Sequence, residues 1–138
     1  MIKKIVLVFA FVFLCISCQE NNNNIDINNE FVIVNNALFY ETSTDNYTIT
    51  NITLEGDLLT LKISSSGCDG NSWKAVLIDA NEILESYPVQ RNLKLYLENT
   101  EACLAVFEKE FTFHISALKE GFSEVTLNLE GWNTQINY

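Results

Sequence analysis

The chain has 138 residues, 48% of them hydrophobic and 19% charged, with 18 acidic against 8 basic side chains. That length sets one domain large enough for a real core, and a single proline among so many apolar residues argues against wholesale disorder. A formal net charge of -10 argues against nucleic acid as a partner, because a phosphate backbone demands clustered Lys and Arg, and against adsorption to anionic lipid by charge alone.

Met1-Ile2-Lys3-Lys4 is a short basic segment, and Ile5 to Ile16 is a continuous apolar run. Twelve helical residues span about 18 Å, short of a hydrocarbon core of about 30 Å, so residues 1–17 read as a signal peptide rather than a membrane anchor. The run closes Leu14-Cys15-Ile16-Ser17-Cys18, which resembles a bacterial lipobox, with Cys15 where Leu is usual. The resemblance implies cleavage before Cys18 and attachment of palmitate-type acyl chains there. Each buried methylene contributes about 0.8 kcal/mol to membrane binding. The alternative is an ordinary signal peptide cut near Ser17, leaving Cys18 a thiol. Cleavage removes Lys3 and Lys4, leaving 6 basic residues against 18 acidic ones, a balance of -12.

Residues 18–30 are polar and Asn-rich, unable to bury enough surface to fold, and read as a flexible tether. Gln19 beside the lipidated cysteine suits the outer membrane by analogy with other lipoproteins. The expected location is therefore the cell envelope, facing either the periplasm or the surface.

Residues 31–138 form the expected single β domain. Phe31 to Val34 and Ala37 to Tyr40 are short strand candidates around Asn35-Asn36. Tyr47 to Leu54 and Leu58 to Ser64 flank Glu55-Gly56-Asp57 as a hairpin, with Gly56 supplying positive φ. Ser64 to Asn71 is the richest loop signal, after which Trp73 to Ile78 resumes as a strand. Leu93, Leu95 and Leu97 alternate with Lys94 and Tyr96. Cys103, Ala105, Phe107, Phe111, Phe113 and Ile115 share one face, opposite Glu108, Glu110, Thr112 and His114. Val125, Leu127 and Leu129 make a further inward set, and Trp132 to Tyr138 is placed to finish a sheet. Helix is expected only as single turns at Glu98 to Ala102 or Ser116 to Lys119. Short strands at this spacing predict an all-β fold: an antiparallel β-sandwich of immunoglobulin-like arrangement first, a small β-barrel second.

Once Cys15 is discarded and Cys18 acylated, Cys68 and Cys103 remain the two cysteines of the domain. In an exported protein they are expected to form one disulfide, stabilising the fold by about 3 to 4 kcal/mol in the chain-entropy model. A redox-active pair would need close C-x-x-C spacing, and one His cannot complete a common zinc set.

Gly67-Cys68-Asp69-Gly70-Asn71-Ser72-Trp73, Ser86-Tyr87-Pro88-Val89-Gln90-Arg91, Cys103 with Phe107, and Phe111-Thr112-Phe113-His114-Ile115-Ser116 resemble blocks of uncharacterised small disulfide-containing lipoproteins of Bacteroidetes-type bacteria. The similarity covers Ile52 to Tyr138 and implies a shared fold and disulfide. It implies no activity. Those relatives commonly carry Asp at the position of His114.

No catalytic constellation emerges. His114 reads as a solvated strand residue, and Ser64, Ser65 and Ser66 lack a nucleophile-elbow pattern. No phosphate loop or dinucleotide fingerprint occurs. No catalytic residue, cofactor or metal is assigned, and an enzyme is not expected. The candidate binding loop is Cys68 to Trp73, with Asp69, Asn71 and Trp73. Asp69 and Asn71, joined by Asp57 or Glu55, offer oxygens to calcium, against the plainer reading as turn formers. Trp73 and Trp132 with Tyr40, Tyr47, Tyr87 and Tyr96 offer a sugar-stacking face, against the plainer reading as strand packing. Tyr96, beside Lys94, is the aromatic first expected on the surface. The expected role is binding or structural support at the envelope, with an envelope protein or glycan as partner. The alternative is an inhibitor of a lysozyme or protease, since Ser64-Ser65-Ser66-Gly67 resembles the Ser/Gly loop of lysozyme-inhibitor lipoproteins. A hydrolase ranks third.

Overall fold

Period-2 alternation does organise the chain. The computed structural model describes residues 30–138; the expected signal peptide, Cys18 and the expected tether up to residue 29 lie outside the described residues. Among the described residues there are eight strands: β1 (Ile33–Val34), β2 (Thr48–Glu55), β3 (Leu58–Gly67), β4 (Lys74–Leu84), β5 (Val89–Glu98), β6 (Ala105–His114), β7 (Val125–Leu129) and β8 (Ile136–Asn137). They form two open sheets, ordered β1-β4-β5-β7-β8 and β2-β3-β6. The fold is an all-β sandwich and is not closed into a barrel. Pairing is antiparallel except at β1–β4 and β5–β7, which run parallel.

The core fills the space between the sheets. Leu59, Leu61 and Ile63 of β3 and Phe113 of β6 face Ala75 and Leu77 of β4, Leu93, Leu95 and Leu97 of β5, and Val125, Leu127 and Leu129 of β7. Burying each such side chain contributes about 1.5 to 3 kcal/mol. The outer face of the three-stranded sheet is polar: Lys62 pairs with Glu108 at 2.7 Å and Thr60 with Thr112 at 2.8 Å.

The hairpin at Gly56 forms as expected, with Glu55 opposite Leu58 and φ +59 at Gly56, the conformation a two-residue turn asks of its first residue. Ser116–Lys119 is a single 3-10 turn that buries Leu118. Three local expectations are corrected. Ala37 to Tyr40 is not a strand but lies in the helix α1 (Asn36–Glu41). The extended Asn35 caps it by accepting from Leu38 N at 3.0 Å, and Thr42 Oγ1 closes it on Leu38 O at 2.7 Å. A four-residue apolar run does not distinguish helix from strand, and a capping Asn decides. Glu98 to Ala102 forms no helix. The serine run is not loop: β3 continues through Ser64, Ser65 and Ser66 to Gly67, paired throughout with β6.

Helix α1 lies on the outer face of the five-stranded sheet, where Phe39 packs on Val76, Ile78 and Ala80, with Tyr96 alongside. Tyr96 is therefore half-buried, packed against a second small core on one side and lining a polar groove on the other. The fully exposed tyrosine is Tyr87, at 98%.

Candidate functional site

Two places gather polar groups with defined geometry. The first is the predicted loop. Cys68 and Cys103 are joined by a disulfide with Cα atoms 4.8 Å apart. That bond brings the Asn99–Leu104 connection against the loop and seats Glu101 in a cradle of backbone amides. One carboxylate oxygen accepts from Cys68 N at 2.6 Å, Gly70 N at 3.1 Å and Asp69 N at 3.2 Å, and the other accepts from Ser72 Oγ at 2.6 Å. The serine hydrogen bond and the three amides, outweighing partial desolvation, hold the Glu101 carboxyl down at about 2. Lys109 of β6 closes the far side, donating to Gly70 O at 2.8 Å and Trp73 O at 3.1 Å.

This arrangement redistributes the predicted loop residues. Asp69 accepts from Asn71 N at 2.9 Å, an Asx turn, so both serve the turn. Trp73 is not at the surface: its ring is 3% exposed and belongs to the main core. Asp57 and Glu55 lie at the other end of β3, about 30 Å of extended chain away, so neither joins Asp69 and Asn71 in a calcium set. Among the described residues no group of three or more His, Cys, Asp or Glu is placed to hold a metal ion. The sequence pattern does not single out Glu101 or Lys109. The available signal was an acid two residues before Cys103.

The second place is a groove of about 380 Å³ on the outer face of the five-stranded sheet, lined by Phe39, Tyr40, Asn92, Leu93, Asn128, Leu129 and Glu130. Parallel pairing of β5 with β7 sets Gln90 beside Thr126 and Asn92 beside Asn128. Lys94 and Glu130 follow, with Nζ 3.3 Å from the carboxylate. The amides interlock. Asn128 Nδ2 donates to Gln90 Oε1 at 3.1 Å and Asn92 Oδ1 at 3.3 Å, and Gln135 Nε2 donates to Asn128 Oδ1 at 3.0 Å. Asn92 Nδ2 makes no hydrogen bond among the described residues. Helix α1 forms the wall. Its Tyr40 is 62% exposed, yet its hydroxyl lies 3.2 Å from both carboxylate oxygens of Glu82, which fixes the ring and raises the phenol's pKa. Asn36 Nδ2 holds the same Glu82 at 2.8 Å.

The remaining candidates disperse. The six aromatics of the expected stacking face do not converge: Trp73 is core, Trp132 and Tyr47 pack against that core, Tyr96 sits under α1, and Tyr87 stands alone at the β4–β5 connection. Tyr40 borders the groove beside Asn92 and Asn128, and Tyr96 lines a separate groove with Ser43, Asp45, Asn46 and Asn99. His114 stacks on Phe31 with centroids 5.1 Å apart, at the end of β6. Ser65 Oγ donates to Asn46 O at 2.6 Å, so it is spent inside the fold. Among the described residues no helix is long and apolar enough to cross a membrane.

No family model matches the chain, and no curated protein matches it. Among solved structures it is similar to a protein of unknown function, DUF1344, from Bacteroides vulgatus, with TM-score 0.50 and 11% identity over 78% of this chain and 54% of that one. It is also similar to a protein described as toxin-related from Parabacteroides distasonis, with TM-score 0.48 and 14% identity over 78% of this chain and 59% of that one. The chain thus spans little more than half the length of either. At 11% identity the likeness to the Bacteroides vulgatus protein shows the fold alone.

Proposed function

We propose that the protein is a lipid-anchored cell-envelope domain with a non-catalytic binding role, exercised through the groove beside Tyr40. The observation that carries the binding role is the pairing of an exposed, hydrogen-bonded aromatic ring with a preformed stripe of amide and carboxylate groups. A few fixed polar groups in a concave, partly apolar site are what small-ligand recognition requires, and a groove of about 380 Å³ falls in the size range of such sites. The disulfide loop is the weaker choice, because its amide donors are taken by Glu101.

The anchor rests on the N-terminal pattern: two lysines, a short apolar run and Leu14-Cys15-Ile16-Ser17-Cys18. The resemblance to small disulfide-containing lipoproteins of Bacteroidetes-type bacteria supports it, and Gln19 favours the outer membrane. The test is membrane partition and intact mass of the full chain against Cys18→Ser. The native chain should fractionate with membranes and carry acyl mass at Cys18, and the variant should lose both; unchanged partition refutes the anchor. Titrating the labelled chain with solubilised envelope fractions tests the binding role. Resonance shifts at Asn92 and Asn128 support it, and silence at the groove with every fraction refutes it.

A further inference from the structure

We infer that the groove beside Tyr40 takes an uncharged saccharide unit, one sugar face lying on the Tyr40 ring and two neighbouring hydroxyls meeting Asn92 and Glu130. This deepens the binding reading above and rests on it.

The hydrogen-bonding inventory of the groove points to this chemistry. Asn128 spends both amide hydrogens on Gln90 and Asn92. Asn92 is then oriented by the bond to its Oδ1, while its Nδ2 keeps two hydrogens for a ligand. Glu130 is oriented in the same way: Oε1 accepts from Thr44 Oγ1 at 3.0 Å and Oε2 faces Lys94 Nζ at 3.3 Å. Each oxygen retains a second lone pair. The groove therefore presents a fixed donor and a fixed acceptor on one side. Vicinal hydroxyls, each able to donate and accept, satisfy both at once.

The other side is an aromatic surface. Tyr40 meets Phe39 edge-on at 5.3 Å between centroids, and Lys94 Nζ lies 4.7 Å from the Phe39 ring centroid. With its hydroxyl tied to Glu82, the Tyr40 ring is pre-oriented and loses little freedom on binding. A flat, exposed aromatic face beside polar groups suits the apolar C–H face of a sugar ring. Charge decides between sugar classes. Glu130 lines the groove, Glu82 stands behind Tyr40, and Lys94 is already committed to Glu130 and to Thr42 O at 3.3 Å. An anionic sugar would meet carboxylates with no free cation among the described residues of the groove.

The experiment uses the full chain in a detergent without a sugar head group, isotope-labelled, titrated with maltotriose, cellotriose, chitotriose and trigalacturonate. At least one of the three uncharged trisaccharides should give saturable shifts at the Asn92 and Asn128 side-chain amides, and trigalacturonate should give none. Tyr40→Ala should weaken that binding about tenfold, the size of one stacked aromatic contact. Asn92→Asp, a change on the outer face, should weaken it as well, and Tyr87→Ala should leave it unchanged. No groove shifts with all three uncharged sugars, equal binding of trigalacturonate, or shifts centred on Tyr87 would each overturn the inference. If an envelope protein fraction shifts the groove while the sugars do not, the saccharide inference falls and the binding role stands. If nothing shifts it, both fall.

Discussion

Arg91 and Asp79 form a two-pronged ion pair sealed inside the sandwich: Nε to Oδ2 at 3.0 Å and Nη2 to Oδ1 at 2.8 Å, with the two residues 1% and 0% exposed. Arg91 shares the inward parity of Leu93 and Leu95, so its guanidinium enters the end of the core. Asp79 reaches it because β4 slips against β5, the four steps from Asp79 to Ile83 matching only two from Leu93 to Arg91. The slip is held by Asp79 itself, whose Oδ1 accepts from Asn81 N at 2.7 Å while Asn81 takes φ +55. Glu120 approaches the third nitrogen at 3.2 Å from the end of the 3-10 turn.

Removing Asp79 leaves the buried Arg91 charge with only the half-exposed Glu120 beside it. Asp79→Ala should therefore cost about 3 to 5 kcal/mol, read as a lower urea midpoint at unchanged slope. Asp79→Leu combined with Arg91→Met should cost less than either alone, because no charge is then stranded. Asn81→Gly should be close to neutral, since glycine accepts the same positive φ. A double variant as unstable as the sum of its singles would show that the pair is not coupled.

Glu101 gives the fold an acid dependence of known sign. Its folded pKa of about 2 lies below its ordinary 4.5. Its contribution is therefore complete above about pH 4.5 and is lost as the pH falls through about 2. Native chain and Glu101→Gln should differ in urea midpoint at about pH 6 and converge at about pH 2. A constant gap across that range would mean that the carboxylate charge is not what the amide cradle recognises.

The disulfide closes a loop of 35 residues. Cys68→Ser with Cys103→Ser should lower stability by about 3 to 4 kcal/mol. Because the same bond delivers Glu101 to its cradle, Glu101→Gln should cost little more in that background than the double serine change alone. Alkylation of the denatured, unreduced protein should leave both cysteines unlabelled.

Gly67 is pressed from two sides. A Cβ there would run into the Glu101 carboxylate and lie 2.9 Å from Trp73 Cζ2, the latter a buried ring that cannot swing away. Gly67→Ala should cost about 1 to 3 kcal/mol by overpacking. In a Trp132→Phe background the remaining indole emission should shift to the red as Trp73 is displaced. An unchanged spectrum and midpoint would mean that the loop yields freely.

How much of this was readable depends on distance along the chain. The strands with clean alternation, Leu58 to Ile63, Leu93 to Leu97 and Val125 to Leu129, were legible because inward and outward residues differ at every step. So was the Gly56 hairpin, whose chemistry is confined to four residues. Helix α1 is not legible in the sequence because Ala37 to Tyr40 carries no period, and the decisive cap, Asn35, resembles a turn former. For Trp73 the sequence leaves both a binding-loop and a strand-packing reading open, because nothing local shows that its ring folds under Gly67 and Gly70. The groove was legible only in one member, Tyr40, since Asn92, Asn128 and Glu130 become neighbours through parallel pairing of β5 with β7.

The sequence by itself determined an all-β domain, the lone pair of cysteines able to bridge within it, and an acidic balance that argues against nucleic acid. These follow from alternation, counting and charge, which need no knowledge of which strands meet. Tertiary structure decided the two open sheets and their order, the β4 slip that buries Asp79 with Arg91, the capture of Glu101 by the Cys68–Gly70 amides, and the groove beneath Tyr40. Each joins groups from separate strands or loops. Their positions are set by the pairing of whole strands and by closure of the core, a balance of many long-range contacts that no short stretch of sequence contains.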